Sequence, residues 1–308
     1  MNLRKLLIAA SASTFALLGP ATIAQNAPVP VIKAEPIAPA PVAAKPALWK
    51  VSDKDTTIYL FGTVHLLPKG IEWYNGKLQT AFERSQELVT EIPEVSDGES
   101  ISMMLKHGTL PPGQTLRDGM SLEEKAKFEA AMTSLGLPVS AFDRYKPWFA
   151  AVAIATLPLQ KSGYSLDSGV ENQLGKRNKA LGRPRTGLET LDFQLGIFNG
   201  LKPEDQKRYL FEVIDGIPEI KPQIDKMVAA WAKGDAKGLA ALMNAETDDP
   251  VLWEALLTNR NRNWSVWIDN RLDQPGVVFV AVGAGHLGGK DSVQSFLAKS
   301  GIKAVRVQ

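Results

Sequence analysis

The 308-residue chain contains no cysteine. This absence excludes disulfides, a thiolate nucleophile and any metal site with a cysteine ligand. It is compatible with an oxidising compartment but does not demonstrate one. Any metal or acid–base site must therefore be built from histidine, carboxylate and other oxygen or nitrogen donors.

Neither sign of charge dominates the sequence. The formal net charge is +2, and two of the basic residues, Arg4 and Lys5, lie in a segment that we predict to be removed. Without that pair, 33 basic side chains balance 33 acidic ones. The basic surface of a nucleic-acid-binding protein is missing, so we expect no nucleic acid among the partners.

Long apolar runs are also scarce, because beyond the amino-terminal segment no stretch reaches the roughly 18 continuous apolar residues of a membrane-spanning helix. The apolar run at 6–18 follows two basic residues and precedes small ones, which is the layout of a secretory signal peptide. We predict a signal peptide at 1–24, a proline- and alanine-rich linker at 25–46 and one domain at 47–308. The protein is then periplasmic or secreted, without stable membrane insertion. An uncleaved anchor in the inner membrane is the alternative.

Histidine is nearly absent, since the chain has three. Two of them, His65 and His286, end similar apolar, β-rich runs that close in Gly-X-X-His. The end of a buried strand lies at the rim of a sheet, where open α/β sheets place their sites. We therefore predict that these two imidazoles share one site. His107 has no such context and is predicted to be a surface or capping residue.

Five β-rich runs outline a sheet. Residues 47–51 and 57–62 flank a polar turn and predict a hairpin. Further strands are predicted at 87–92, 276–282 and 302–307. A short strand is also expected just before Glu189. We predict an α/β fold with a central mixed β-sheet flanked by many helices.

The helices are predicted mostly between the amino-terminal hairpin and the carboxy-terminal strands, as a helical insertion. Ser121 and Glu124 form a capping-box pattern, and Pro147 is typical of a first helical position. Residues 203–246 read as helical, with breaks at 216–218 and at Gly234. A long helix is expected to start at residue 248 and to run to about residue 272.

Two imidazoles and a carboxylate are a common ligand set for zinc, manganese, iron or cobalt. The carboxylate candidates are Glu91, Glu189 and Asp167, although each is equally explained as a solvated strand end or a helix cap. Arg260 and Asn261 lie within a predicted helix, where they form either a solvated face or a pair that stabilises an oxyanion. Neither Gly-X-Ser-X-Gly nor His-Glu-X-X-His occurs, so a serine triad and a helical zinc motif have no support.

These motifs together resemble the TraB/PrgY/GumN family, to which the Tiki metalloproteases are related. The resemblance covers about residues 48–307. It implies an α/β fold with both Gly-X-X-His ends at one site, and a divalent metal (manganese, cobalt or zinc) held by His65, His286 and Glu91. It also places Arg260 and Asn261 on the Arg-Asn pair of the family. The segments that carry it are LFGTVH (60–65), LVTE (88–91), LD (166–167), GLET (187–190) with Gln194, RNRNW (260–264) and VAVGAGHLGG (280–289).

Three functions follow as hypotheses. The first is a metal-dependent hydrolase, a peptidase acting on a peptide or small envelope substrate, with Glu189 or Glu91 as general base and Arg260 or Asn261 at the oxyanion. The second is a non-catalytic module that binds a peptide or an envelope ligand. The third is a metal-free, esterase-like hydrolase in which a histidine and a glutamate act as acid and base. The sequence predicts no oligomeric state.

Overall fold

The computed structural model describes residues 42–244 and 253–308, so the predicted signal peptide, most of the predicted linker and the start of the helix predicted at residue 248 lie outside it. The strands are β1 (Val42–Ala43), β2 (Leu48–Ser52), β3 (Thr56–Thr63), β4 (Leu67–Pro68), β5 (Ile71–Glu72), β6 (Glu87–Thr90), β7 (Tyr164–Ser165), β8 (Arg185–Gly187), β9 (Gly276–Gly283) and β10 (Val305–Arg306). The α-helices are α1 (Gly76–Arg84), α2 (Asp97–Gly108), α3 (Leu122–Ser134), α4 (Pro147–Lys161), α5 (Val170–Ala180), α6 (Leu191–Asn199), α7 (Pro203–Ala232), α8 (Ala236–Asn244), α9 (Asn259–Leu272) and α10 (Val293–Lys299).

A six-stranded mixed sheet in the order β10-β2-β3-β9-β6-β8 forms the centre of the fold. The predicted hairpin is confirmed, because β2 and β3 pair antiparallel. Strands β3, β9, β6 and β8 are parallel neighbours. The α/β fold with a mixed sheet and flanking helices is therefore confirmed, and β6 and β8 join the sheet from within the helical part of the chain.

The two central strands are buried on both faces, which explains their nearly continuous apolar sequences. Phe61 and Phe279 lie on the face covered by most of the helices, with ring centroids 5.8 Å apart. Their neighbours Leu60 and Val280 belong to the smaller core on the other face, where Trp264 of α9 packs. With helices on both faces, the strand ends are the part of the sheet where side chains from several strands can meet.

Most predicted helix boundaries are confirmed. Ser121 and Glu124 form the capping box of α3, and Pro147 is the first residue of α4. Gly234 follows the end of α7 with a φ of +68°, in the left-handed region that favours glycine.

The predicted break at 216–218 is wrong, because α7 continues through Pro218 and Pro222. A proline inside a helix removes a backbone hydrogen bond and costs about 3 kcal/mol. The helix nevertheless persists because one face, including Ile214 and Ile224, is buried in the main core. Tertiary burial here outweighs local propensity.

The folded part begins before the predicted residue 47. Val42 donates a backbone hydrogen bond to Gly70, Ala44 donates one to Glu72, and Ala44 is fully buried. Residues 42–45 carry no proline, so their backbone N–H groups are available for pairing, unlike those of the prolines before them. In the part of the chain that the structure describes, no helix combines the length and the apolar character needed to cross a bilayer.

Candidate functional site

The carboxyl ends of the four parallel strands lie side by side, and each is followed closely by a predicted site residue. His65 follows β3, Glu91 follows β6, Glu189 follows β8, and His286 follows β9. The registers align these ends, with β3 against β9 and β6 against β8. The structure thus brings the four side chains to one edge of the sheet, where open α/β sheets bind ligands.

Arg260 of α9 lies at the centre of this edge and is 1% exposed. Its Nε donates to Glu189 at 3.0 Å, and its Nη2 donates to Glu91 at 2.6 Å. Its Nη1 donates to the Leu256 carbonyl at 3.0 Å and lies 3.3 Å from His286 Nε2. All three guanidinium nitrogens therefore have partners within the protein, which is what a buried arginine requires.

Glu91 is 1% exposed and remains a carboxylate. Burial alone raises its pKa, but the positive charge of Arg260, the two site imidazoles and a 2.7 Å hydrogen bond from the Gly283 N–H outweigh burial and lower the pKa from 4.5 to about 2. Both carboxylate oxygens are occupied, because Gln194 also donates to Oε2 at 3.1 Å.

His286 is fully buried and its tautomer follows from its partners. The Asn261 side chain donates through Nδ2 to the Asp291 carbonyl at 2.7 Å, so Oδ1 of Asn261 is left as an acceptor. His286 Nδ1, 2.6 Å from that oxygen, must donate to it. The remaining Nε2 is then unprotonated and accepts from Arg260 at 3.3 Å.

Burial, followed by the charge of Arg260, lowers the pKa of His286 from 6.5 to about 3. Its ring also packs on Trp264, with centroids 4.4 Å apart. His286 is therefore a neutral imidazole at physiological pH, and its role is that of a hydrogen-bonded part of the network.

Glu189 completes this network. Trp264 Nε1 donates to its Oε1 at 2.9 Å, and Gln194 Nε2 donates to its Oε2 at 3.0 Å. The side chain is 8% exposed and pairs with Arg260. We name the set of Glu91, Glu189, Gln194, Arg260, Asn261, Trp264 and His286 the arginine network.

His65 lies beside the arginine network and has a partner that the sequence analysis missed. Its Nδ1 is 2.8 Å from Oε1 of Glu171, in the first turn of α5. A positive charge on His65 would lower the pKa of both Glu91 and His286, because the ring is close to the network. Asp167, the candidate taken from this region, is 85% exposed and pairs with Lys176 instead.

His107 lies outside this site. Of its two predicted roles, the surface position is wrong, because it is 8% exposed and its Nε2 contacts Asp192 at 2.8 Å; it does lie in the last turn of α2, near the predicted helix end. The contact links α2 to α6, the helix that carries Gln194. Helix packing rather than site chemistry accounts for this histidine.

The predicted metal ligands do not fit a metal ion in this arrangement. Glu91 uses both oxygens on N–H donors, and His286 Nε2 faces Arg260 rather than an open position. The cation between the carboxylates is the guanidinium of Arg260. Over 42–244 and 253–308, no three His, Asp or Glu side chains form a group that could hold a metal ion. The metal set of His65, Glu91 and His286 stays a prediction that metal analysis can test.

The fold and the site together define an α/β protein that gathers histidine, glutamate and arginine at the carboxyl ends of the parallel strands of a mixed sheet. The family model described as the TraB/PrgY/gumN family matches residues 47–306. The chain therefore belongs to the TraB/PrgY/gumN family, as its motifs predicted. No curated protein and no solved structure is a match to this chain.

The lowered pKa of His286 predicts how stability depends on pH. Between pH 3 and pH 6.5, His286 binds a proton in the unfolded chain but stays neutral in the folded chain, because folding lowers its pKa from 6.5 to about 3. The stability that neutral His286 contributes to the folded state is therefore complete above pH 6.5 and is lost as the pH falls towards 3. Glu91 acts in the same direction, with its contribution complete above pH 4.5 and lost towards 2.

We expect the free energy of unfolding, measured by urea titration, to fall steadily below pH 6.5, by a total on the order of a few kcal/mol. His286→Asn should flatten the part of this slope above pH 4.5, and His107→Asn should leave it in place. A wild-type midpoint that is constant from pH 6.5 to 4.5 would contradict the assignment of a neutral, buried His286.

Proposed function

We propose that this chain is an exported hydrolase that cleaves peptides or small substrates of the cell envelope, with His65 as general base. The observation that carries the proposal is the division of the site into two parts. The arginine network engages both oxygens of Glu91 and all three guanidinium nitrogens of Arg260, whereas the His65 imidazole lies 2.8 Å from the carboxylate of Glu171. The peptide substrate is the class that the resemblance to the Tiki metalloproteases implies.

In the proposed reaction, Nε2 of neutral His65 takes a proton from a water molecule as the water oxygen bonds to the substrate carbonyl carbon. The imidazolium then returns the proton to the leaving nitrogen as the carbon–nitrogen bond breaks. Atoms and charges balance in both steps, and water is the only co-reactant. A histidine serves this role because its ordinary pKa is close to neutral pH.

The arginine network has a supporting role in this proposal. Glu189, Arg260 and Asn261, which the sequence analysis offered as catalytic residues, use their polar atoms on one another and on His286. We infer that they position the strand ends and set the charge beside His65, without contacting the substrate. A rigid, pre-organised support of this kind is what a catalytic group needs to stay aligned.

Metal removal tests the proposal against the metal-dependent peptidase that the resemblance implies. Metal coordination by Glu91 and His286 requires both to give up Arg260, so we assign no step to a metal. We expect the purified protein to cleave a peptide library to the same extent before and after dialysis against a chelator, with cleavage sites read by mass spectrometry.

His65→Gln is the blank for contaminating peptidases in this assay, and elemental analysis of the native protein accompanies it. Cleavage that disappears with the chelator and returns with manganese, cobalt or zinc would contradict the metal-free reaction and establish the metal-dependent one. Saturable peptide binding without any cleavage would contradict both and favour the binding module.

A further inference from the structure

Glu171 has an unusual environment for a carboxylate. Its side chain is 14% exposed, and both of its oxygens are buried. Among the described residues, neither oxygen accepts a hydrogen bond of normal geometry, even from the nearby His65 ring. A buried carboxylate without hydrogen bonds is costly, so such a group is usually retained for the contact that it does make. Here that contact is His65 Nδ1, at 2.8 Å.

The backbone around Glu171 is fitted to the His65 segment. Val170 donates its N–H to the Val64 carbonyl at 3.0 Å, and the Val170 side chain is fully buried. Gly169 passes so close that an added Cβ would lie 2.1 Å from the His65 carbonyl oxygen. A side chain at position 169 would therefore push α5 away from β3, and the glycine permits the approach that brings Glu171 to the ring.

Arg185 is not the main partner of Glu171. The negative charge of Glu171 raises the pKa of Arg185 in β8, but the Arg185 Nε donates a hydrogen bond to Thr90 Oγ1 at 3.1 Å. Burial lowers the pKa of Arg185, and the negative charges of Glu94 and Glu171 oppose that effect. The carboxylate of Glu171 is thus directed to His65 by contact and to Arg185 by charge alone.

We propose that Glu171 is a positioning residue that accepts a hydrogen bond from Nδ1–H of His65 and so fixes the tautomer with an unprotonated Nε2. A carboxylate on one ring nitrogen orients the imidazole and makes the other nitrogen the proton acceptor. This inference rests on the proposed function only in one respect, which is that Nε2 serves as the proton acceptor in hydrolysis. The tautomer itself is a property of the resting protein.

Long-range proton–nitrogen NMR of the histidine rings tests this inference in the purified chain, which has three histidines to resolve. We expect His65 to show the Nδ1–H tautomer, and we expect Glu171→Met to convert it to a mixture or to the Nε2–H form. Methionine keeps the length of the side chain and its helix propensity but has no oxygen acceptor.

The matched control is Asp167→Asn, which removes a carboxylate from the same region at an exposed position and should leave the His65 signals unchanged. The His286 and His107 signals report whether each variant is folded. Wild-type His65 in the Nε2–H form would overturn the inference without any variant. So would a His65 tautomer that stays the same in folded Glu171→Met.

Cleavage kinetics separate this inference from the proposed function. With a peptide substrate, Glu171→Met should lower kcat by about 10–100-fold with little change in KM, whereas Asp167→Asn should leave both unchanged. If the wild-type protein cleaves no peptide, the proposed function fails while the NMR result stands. If the His65 tautomer is the same in the wild type and in Glu171→Met, this inference fails while the proposed hydrolysis stands.

Discussion

Replacing Arg260 with methionine is expected to lower the free energy of unfolding by about 3–5 kcal/mol, because breaking a buried ion pair leaves uncompensated charge. The change removes the one guanidinium that pairs with both Glu91 and Glu189, at 2.6 and 2.9 Å. It also leaves His286 Nε2 and the Leu256 carbonyl without their donor. A loss of this size is a large part of the stability of an ordinary domain.

The measurement is urea unfolding at neutral pH, with the midpoint and the slope fitted separately. Arg262→Met is the matched control, because Arg262 lies in the same helix, is exposed, and contacts Asn259 and the Phe296 ring near the surface. We expect the control to change stability by less than about 0.5 kcal/mol. Equal losses of unfolding free energy in the two variants would show that the buried contacts of Arg260 stabilise the fold no more than the surface contacts of Arg262.

A double variant sharpens this test. Glu91→Gln removes one of the two charges that Arg260→Met leaves unpaired, so the two losses should not add. We expect the double variant to be less destabilised than the sum of the single variants by about 1–3 kcal/mol, in the range seen for residues of one network. Strict additivity would mean that the 2.6 Å contact between Arg260 and Glu91 carries no coupling energy.

Local patterns were sufficient to predict the parts of the fold and the site that depend on neighbouring residues. The two Gly-X-X-His runs end β3 and β9, and their histidines lie at one edge because both strands are apolar enough to be central. Glu91 and Glu189 lie at the same edge because each closely follows a short strand that is parallel to these two. The break expected at Pro218 failed because the energy of burying α7 depends on distant residues that a local pattern does not contain.

The chemistry of the site depends on tertiary contacts that no short motif specifies. Asp167 and Glu171 are both acidic and lie four residues apart in the sequence, yet one is exposed and the other reaches His65. The difference arises because Gly169 and Val170 pack the start of α5 against residues 64 and 65, and this tertiary contact is not specified by the local sequence. The charge of Arg260 is visible in the sequence and is compatible with a solvated face or an oxyanion donor, whereas its buried partners just after β6, β8 and β9 are not visible there.

His65→Ala is expected to lower kcat/KM for a cleaved peptide by about 10²–10⁴-fold, the range that a positioned general base contributes. His65 is the site imidazole with a carboxylate on Nδ1, whereas His286 is held neutral by burial and by Arg260. Since the arginine network has its own hydrogen bonds, we expect it to survive this substitution. The loss should therefore appear in turnover, with the urea midpoint changed far less than in Arg260→Met.

The matched control for this last prediction is His107→Ala, which removes an imidazole paired with a carboxylate outside the site. Cleavage by that variant should equal that of the wild type once its folded fraction is taken into account. A His65→Ala variant that is folded and fully active would remove His65 from the reaction. Because the carboxylates of Glu91 and Glu189 are already paired with Arg260, the metal-free reaction would then have no general base, and the metal-dependent hydrolase would become the better account of this edge of the sheet.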